Sequence, residues 1–191
     1  GAGEAAGISA GLAAGTKTRV GEISGWDMRD QLGRMEPVSG VMDMDTGTAG
    51  TYAKSWGSLV VTGAWIAVAS LNNVPGYYGA GVWHDNGTSK GSKSARMIPN
   101  NTIIPAPGMY RVRFHSTTFP NYQKSTRVNI KHGRSATPRA VILDSTVSDM
   151  YWMDCGTYYF AADGADYVEV SNAGGEAGKY LSFDAFSIER V

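Results

Sequence analysis

The sequence predicts a mostly β protein, an antiparallel β-sandwich of the jelly-roll type preceded by two short helices. Segments such as Met109–Phe114, Thr126–Lys131 and Tyr167–Val170 alternate apolar and polar residues, which is the period of a half-buried strand. After residue 57, roughly nine or ten such segments are separated by turn-forming residues, with no helical pattern between them. Many short strands joined by turns are typical of a sandwich or a barrel.

The first 39 residues differ from the rest because they have a helical pattern. Gly3–Ala14 is rich in Ala and other small residues, and Ser24 is a suitable N-cap for a second helix that ends before Pro37. We therefore divide the chain into a helical segment, 1–39, and a β-sandwich accessory module, 40–191. The helical segment is expected to be the tail of an upstream domain.

The predicted strands follow one another in order through the second part of the chain. Gly40–Thr51 is interpreted as a linker or a first edge segment, and Gly156 is expected to mark a bulge or a bend. Asp85-Asn86-Gly87 is a strong turn signal. The predicted strands are Ser58–Thr62, Ala64–Ala69, Gly81–His84, Ser92–Ile98, Gly108–Ser116, Thr126–His132, Pro138–Asp144, Tyr151–Ala161, Asp166–Ser171 and Tyr180–Arg190.

Composition and charge exclude several classes of protein. The 17 basic and 17 acidic residues balance, which argues against a nucleic-acid partner. Cys155 is the only cysteine, so neither an internal disulfide nor a cysteine metal cluster can form, and we expect it to be buried. No apolar stretch approaches the ~20 residues of a membrane span, so none is predicted. Gly1–Ala14 lacks the pattern of a signal peptide, which we expect upstream if the parent protein is secreted.

Several blocks in the second part combine glycines, aromatic residues and charges in a fixed order. The blocks are Val61–Trp65, Gly76–Gly79, His84-Asp85, Lys90–Ala95, Pro107–Val112, Trp152–Phe160, Tyr167–Asn172 and Phe183–Phe186. Together they resemble the golvesin/xanthan-lyase carbohydrate-binding-like module, a C-terminal β-sandwich of bacterial enzymes. The resemblance implies a non-catalytic accessory module on a larger secreted enzyme, located extracellularly or in the periplasm. Its implied partners are a polysaccharide ligand and the parent catalytic domain.

The first segment resembles a different family. Gly3–Ala13 is similar to the last flavin-contacting helix of FAD-dependent oxidoreductases, whose N-terminus points at the cofactor. By that resemblance Gly3, Ala5, Ala6 and Gly7 would contact FAD only when joined to a parent flavin domain, because no Gly-x-Gly-x-x-Gly motif is present. The alternative function is therefore a C-terminal piece of such an oxidoreductase, with the sandwich as a cap or oligomerisation surface.

Residues that could perform catalysis or bind metal are few. His84-Asp85 is interpreted as a strand end leading into a turn, and His115 and His132 as surface or hydrogen-bonded histidines, so no catalytic residue is expected. A lyase or hydrolase in its own right would need clustered acids or a Tyr/His/Arg group, which the sequence does not show. Asp43–Thr48 superficially resembles a calcium loop but lacks the glycine at the sixth position and the terminal bidentate glutamate that such a loop requires. We expect no cofactor or metal here; a structural Ca²⁺ would draw on Asp43, Asp85 or Asp184.

Aromatic residues near loops are the best candidates for contacts to a glycan, because sugar C–H faces stack on rings. The loop Phe119–Lys124 is the first to test. The candidate contacts are Tyr77, Tyr78, Phe119, Asn121, Tyr122, Gln123, Tyr151 and Trp152. The aromatic residues expected in the core are Trp65, Trp83, Tyr110, Phe114, Tyr158, Phe160, Phe183 and Phe186.

Overall fold

The structure is a computed structural model that describes residues 40–44, 49–69, 81–117, 120–146 and 152–191. The helical segment 1–39, with its two predicted helices and its resemblance to a flavin-contacting helix, lies outside the described residues. Four candidate glycan contacts also lie outside them: Tyr77, Tyr78, Phe119 and Tyr151.

The described residues form short β-strands connected by turns and loops. In chain order the strands are β1 (Val41–Asp43), β2 (Gly50–Lys54), β3 (Gly57–Thr62), β4 (Ile66–Ala69), β5 (Gly81–His84), β6 (Ser94–Pro99), β7 (Gly108–His115), β8 (Thr126–Lys131), β9 (Arg139–Leu143), β10 (Trp152–Phe160), β11 (Tyr167–Ser171), β12 (Ser182–Phe183) and β13 (Ala185–Arg190).

These strands build three antiparallel sheets. One sheet has four strands in the order β1-β13-β7-β10, another has six in the order β2-β3-β6-β11-β8-β9, and a small one is β12-β5-β4. Side chains from all three sheets belong to one buried hydrophobic cluster. The predicted antiparallel β-sandwich is therefore confirmed for the described part of the chain.

The alternation that predicted the strands also determines which side chains enter the core. In β6, Ala95 and Met97 are fully buried, whereas Arg96 between them is partly exposed. On the opposing sheet, the ring of Phe114 stacks on Phe183 with 6.0 Å between centroids and packs against Phe186 at 5.2 Å. Burying a side chain of this size stabilises the fold by about 1.5–3 kcal/mol. Seven of the eight predicted core aromatics are buried and the eighth, Tyr158, packs against the cluster from a half-buried position.

Two elements differ from the sequence-based expectation. Strand β2 (Gly50–Lys54) was not predicted as a strand, because Tyr52 and Ala53 are its only apolar residues and they are adjacent in the sequence. The predicted single strand Tyr180–Arg190 is broken at Asp184, where the chain leaves the small sheet and enters the four-stranded sheet. The break is fixed by the fully buried Asp184, whose Oδ2 lies 2.8 Å from Nδ1 of His115.

Of the bulge or bend expected at Gly156, the structure has the bulge. The pairing of β10 with β7 shifts register between Asp154 and Gly156, and Gly156 has a φ of +105°. Only glycine adopts this backbone conformation without strain. The bulge changes the alternation of β10 in mid-strand, so that Cys155 and Tyr158 both turn towards the inner side.

A fully buried carboxylate, that of Asp85, joins segments far apart in sequence. Its Oδ1 accepts the backbone N–H groups of Gly87 and Leu181, both at 2.9 Å. Its Oδ2 accepts Nζ of Lys90 at 2.7 Å and Nδ2 of Asn172 at 3.1 Å. We call these five residues and the hydrogen bonds between them the Asp85 network. Its members come from the loop after β5, the turn after β11 and the segment before β12.

The amide of Asn172 extends the Asp85 network to the start of β6. Its Oδ1 accepts the backbone N–H groups of Gly91 at 3.0 Å and Lys93 at 3.1 Å. The Nζ of Lys93 in turn donates to the main-chain oxygen of Asp85 at 2.6 Å. The sequence blocks His84-Asp85, Lys90–Ala95 and Tyr167–Asn172 therefore meet in one place, and their polar residues hold loops together.

The Asp85 network also lowers the pKa of the Asp85 carboxyl. Burial by itself would raise this pKa, but hydrogen bonds from Lys90, Leu181, Asn172 and Gly87 outweigh it and hold the pKa below its ordinary value of 3.8. Because the folded-state pKa lies below the unfolded one, the stabilisation is complete at neutral pH. It is lost as the pH falls below 3.8 and through the folded-state value.

We predict that Asp85→Asn lowers the free energy of unfolding by about 3 kcal/mol at pH 7, because an amide cannot accept four donors and the ammonium of Lys90 loses its counter-charge. Urea denaturation followed by tryptophan fluorescence measures this, and the difference from wild type should shrink as the pH approaches 3. Arg111→Gln is the control, since the Arg111–Asp154 pair is exposed and should change stability by less than about 1 kcal/mol. Equal stability of Asp85→Asn and wild type would contradict the role of the network.

Candidate functional site

The outer face of the six-stranded sheet carries a row of polar side chains that cross three strands. Glu169 of β11 is paired in register with Arg96 of β6 on one side and with Asn129 of β8 on the other. Because neighbouring positions on these strands are buried, all three side chains lie on the face that points away from the core. Strand order, and not closeness in sequence, brings them together.

The side chains of this row are fixed by contacts with each other. Glu169 Oε2 accepts Arg96 Nη2 at 2.9 Å and Nε at 3.0 Å, while its Oε1 accepts Asn129 Nδ2 at 3.0 Å. The guanidinium carbon of Arg96 lies 4.1 Å from the centroid of the Tyr167 ring. We call Arg96, Tyr167, Glu169 and Asn129 the outer-face platform. The Arg96 side chain remains 40% exposed, so the platform presents a flat, ordered guanidinium to solvent.

The chemistry of the outer-face platform suits a ring-shaped polar molecule. A planar guanidinium held on an aromatic ring offers a flat surface for C–H groups together with N–H donors at its edge. The amide of Asn129 and the carboxylate of Glu169 add a donor and acceptors beside it. Because their mutual hydrogen bonds fix these groups in advance, a ligand would lose little affinity to ordering them.

A cavity of about 230 Å³ adjoins one end of the outer face, where Ser58 and Ile98 belong to both. It is also lined by Asp166, which is only 2% exposed. Asp166 Oδ2 accepts the N–H of Ala161 at 2.8 Å, while Oδ1 has no hydrogen-bond partner among the described residues. Burial therefore raises the pKa of the Asp166 carboxyl above its ordinary value of 3.8.

We predict that Asp166→Asn increases stability at pH 7. The folded-state pKa lies above the unfolded one, so the fold is most favoured below pH 3.8 and loses stability as the pH rises through the folded-state value. Because the variant has no charge at this position, it avoids that loss of stability. The melting temperatures of the variant and the wild type should therefore become equal at acid pH. Thermal unfolding between pH 3.5 and pH 7.5 tests this, with Glu176→Gln, which removes an exposed acid from the segment after β11, as the control. A variant less stable than wild type at pH 7 would contradict the prediction.

The structure corrects the prediction for two residues of the loop Phe119–Lys124. Tyr122 is only 9% exposed and its hydroxyl lies 2.9 Å from Thr117 Oγ1, so its ring is not an open stacking surface. Gln123 is fully buried, and its Oε1 accepts Lys90 Nζ at 3.0 Å, next to the Asp85 network. Both side chains therefore help to hold the surrounding loops in place.

The other described candidates remain at the surface. Asn121 is exposed, and its main-chain oxygen accepts the N–H of Tyr180 at 3.1 Å. Trp152 is half-buried, with its ring centroid 4.7 Å from that of His115. As glycan contacts, these two residues stay predictions, as do the four candidates outside the described residues.

The outer-face platform was missed because no short motif contains it. Its four residues lie in three different strands, and only the order β6-β11-β8 makes them neighbours. A usable signal was present, since polar or aromatic residues occupy outward positions of the alternating segments around Arg96, Asn129 and Glu169. Pairing these segments correctly would have required the strand order.

The histidines occupy structural positions. His84 ends β5 and its Nδ1 accepts the N–H of Asn86 at 3.1 Å, while the oxygens of Asp85 are used within the Asp85 network, which confirms the strand-end interpretation. His115 is buried and hydrogen-bonded to Asp184. His132 packs on the ring of Tyr158 with 4.9 Å between centroids.

The aspartates considered for Ca²⁺ have other contacts. The Asp85 carboxylate already accepts four donors, and Asp184 Oδ2 is hydrogen-bonded to His115. Within the described ranges, no three His, Cys, Asp or Glu side chains converge as metal ligands would. At Asp85 the ammonium of Lys90 already supplies a positive partner. The expectation that no metal is bound stays a prediction.

Cys155 is buried in the core, as predicted, and burial raises the pKa of its thiol. We predict that this thiol reacts with iodoacetamide at pH 8 only after the protein has been unfolded in urea, because both the thiolate and access are suppressed in the native state. Intact mass spectrometry after timed labelling measures this. Rapid labelling of the folded protein would contradict it.

The described fold and surfaces define a β-sandwich domain whose described polar clusters hold loops and strands together. Residues 51–190 match the family described as the Golvesin C-terminal domain, and the chain belongs to that family. The resemblance of the second part of the chain to the golvesin/xanthan-lyase module is thereby confirmed, whereas the resemblance of the first segment to a flavin-contacting helix stays a prediction. No helix in the described part of the chain is long and apolar enough to cross a membrane.

Known proteins similar to the chain include polysaccharide lyases much longer than it. The chain is 30% identical over 131 residues to a xanthan lyase of Bacillus sp. (strain GL1), a match that covers 68% of this chain and 13% of the lyase. The solved structure of Paenibacillus xanthan lyase superposes with a TM-score of 0.63 at 22% identity, covering 79% of this chain and 13% of that one. A CBM35 from Paenibacillus barcinonensis covers 80% of the chain at 14% identity with a TM-score of 0.47, which is a loose likeness.

Proposed function

We propose that this chain is a non-catalytic accessory module that binds a polysaccharide on the outer face of its six-stranded sheet. The observation that carries the proposal is the outer-face platform, in which a partly exposed guanidinium lies 4.1 Å from the ring of Tyr167 and is held by Glu169. An open, flat and ordered surface of this kind fits an extended chain of sugar rings better than a small enclosed ligand.

The contacts available on the platform support stacking together with edge hydrogen bonds. A sugar ring would lie against Arg96 and Tyr167, and its hydroxyl groups would meet Asn129 and Glu169. Such a shallow surface buries little area, so the affinity should be weak. Millimolar to micromolar binding corresponds to about −4 to −8 kcal/mol.

We further propose that the module is part of a larger secreted bacterial enzyme that acts on polysaccharides. The family membership and the match to 13% of a xanthan lyase support this placement. In such a protein the module would hold the polymer near a separate catalytic domain, where linkage raises the effective concentration of substrate. The extracellular or periplasmic location follows from the same proposal.

We predict that Arg96→Ala and Tyr167→Ala each weaken polysaccharide binding by about tenfold, which corresponds to the loss of about 1.4 kcal/mol of stacking and hydrogen bonding. Affinity gel electrophoresis against xanthan, xylan, mannan and dextran identifies the polymer, and isothermal titration calorimetry measures the change. Arg111→Ala is the matched control, because it removes an exposed ion-paired arginine from the other sheet.

Two outcomes would contradict the assignment to the outer face. If wild type and both variants bind a polymer equally, the platform is not the binding surface. If Trp152→Ala abolishes binding while Arg96→Ala does not, the ligand contacts the aromatic residues near the loops that the sequence predicted. Melting temperatures of all variants should be measured first, so that a loss of binding is not a loss of folding.

A further inference from the structure

The hairpin formed by β8 and β9 is strongly basic. Residues 126–143 contain Arg127, Lys131, Arg134 and Arg139 and no acidic residue, in a chain with equal numbers of acids and bases. A local excess of four positive charges in a neutral protein creates a positive potential at that place. The charge is therefore concentrated in one element.

The loop of this hairpin borders an open cleft of about 460 Å³. Four of its lining side chains can donate hydrogen bonds. Its lining residues are His132, Ser135, Thr137, Pro138, Arg139 and Ala140. We call these six residues the hairpin cleft.

The hairpin cleft is built on fixed elements. Ser135 donates its N–H to the main-chain oxygen of His132 at 3.3 Å and its Oγ–H to that of Thr137 at 2.8 Å, which closes the turn. The ring of His132 packs on Tyr158 of β10. A Cβ at Gly133 would approach the main-chain oxygen of Tyr159 to 3.2 Å, so the loop lies directly against β10. The polar groups of the cleft are thus held in place.

The arginines at the cleft are available to a ligand. Arg134 and Arg139 are both exposed, and neither forms a salt bridge with an acid of the described ranges. Arg96, Arg111 and Arg113, by contrast, each pair with a carboxylate within their own sheet. The hairpin therefore presents two cations that form no ion pair with an acid in the part of the chain that the structure describes.

We infer that the hairpin cleft binds the anionic group of an acidic polysaccharide, a carboxylate or a sulfate ester. The fork of Arg139 can hold such a group in a bidentate manner, with the hydroxyl of Thr137 and the imidazole of His132 beside it. The inference rests on the proposed function, because it names the charge class of the polysaccharide. In this arrangement the hairpin cleft binds the charged group of the polysaccharide, and the outer-face platform stacks against its sugar rings.

The test compares three soluble polymers: polygalacturonate with carboxylates, dextran sulfate with sulfate esters, and neutral dextran. Isothermal titration calorimetry at 50 and 200 mM NaCl measures binding to wild type and to the double variant Arg134→Gln/Arg139→Gln. We expect wild type to bind one of the anionic polymers, the double variant to bind it at least fivefold more weakly, and the salt dependence to fall in the variant. Which polymer binds identifies the anionic group.

Lys124→Gln is the matched control, since it removes an exposed cation that precedes β8, at the opposite end of that strand from the cleft. Equal losses for Lys124→Gln and Arg139→Gln would overturn the inference, because net charge and not the cleft would then govern binding. Equal binding of single-stranded DNA with the same sensitivity to Arg139→Gln would also overturn it. The cleft would in that case bind any polyanion and would not be selective for acidic polysaccharides.

A small probe separates this inference from the proposed function. Sodium galacturonate titrated into labelled wild type should shift the backbone amide signals of Ser135 and Arg139 in NMR spectra, whether or not a polymer binds. If these signals shift but Arg96→Ala does not change the binding of any polymer, the inference about the hairpin cleft is supported and the assignment of the outer face fails. If neutral dextran or mannan binds through Arg96 and galacturonate shifts neither amide, the module binds polysaccharide but the cleft inference fails.

Discussion

The buried carboxylate of Asp85 is the constraint on which the arrangement of this domain most depends. Both of its oxygens and its main-chain oxygen accept hydrogen bonds from residues up to 96 positions away in sequence. A charge at this depth is tolerated only when it is fully solvated by the protein, and here Lys90, Asn172 and two backbone amides supply that solvation. Since those donors come from separate loops, the loops can take up only one arrangement around it.

The same alternation of side chains produces both the core and the candidate binding surface. In β6, β8 and β11 every second residue enters the sandwich, and the residues between them form the outer-face platform. The mutual hydrogen bonds of Arg96, Glu169 and Asn129 cost the fold little, because they lie at the solvent boundary. The proposed binding surface and the core thus lie on opposite faces of one sheet, so the platform can vary without disturbing the core.

The sequence predicted the strands well where alternation was strong, and the chemistry of the surface less well. The core aromatics were identifiable because they lie on the apolar side of alternating segments. The irregularity in β10 was identifiable because Gly156 interrupts an alternating segment. The break at Asp184 was hidden because apolar residues flank it on both sides. Tyr122 and Gln123 looked like loop residues open to ligand. They are instead enclosed by Thr117 and Lys90, contacts that depend on tertiary structure alone.

The switch of sheets at Asp184 has a consequence for how the chain is made. Strand β13 (Ala185–Arg190) lies between β1 and β7, so an interior position of the four-stranded sheet is filled by a strand that follows both of its neighbours in the chain. Neither β1 nor the edge of β7 has its partner until those residues have been synthesised. A nascent chain stalled before Ala185 would therefore carry an unpaired strand edge beside an open apolar layer, the kind of surface that chaperones recognise during translation.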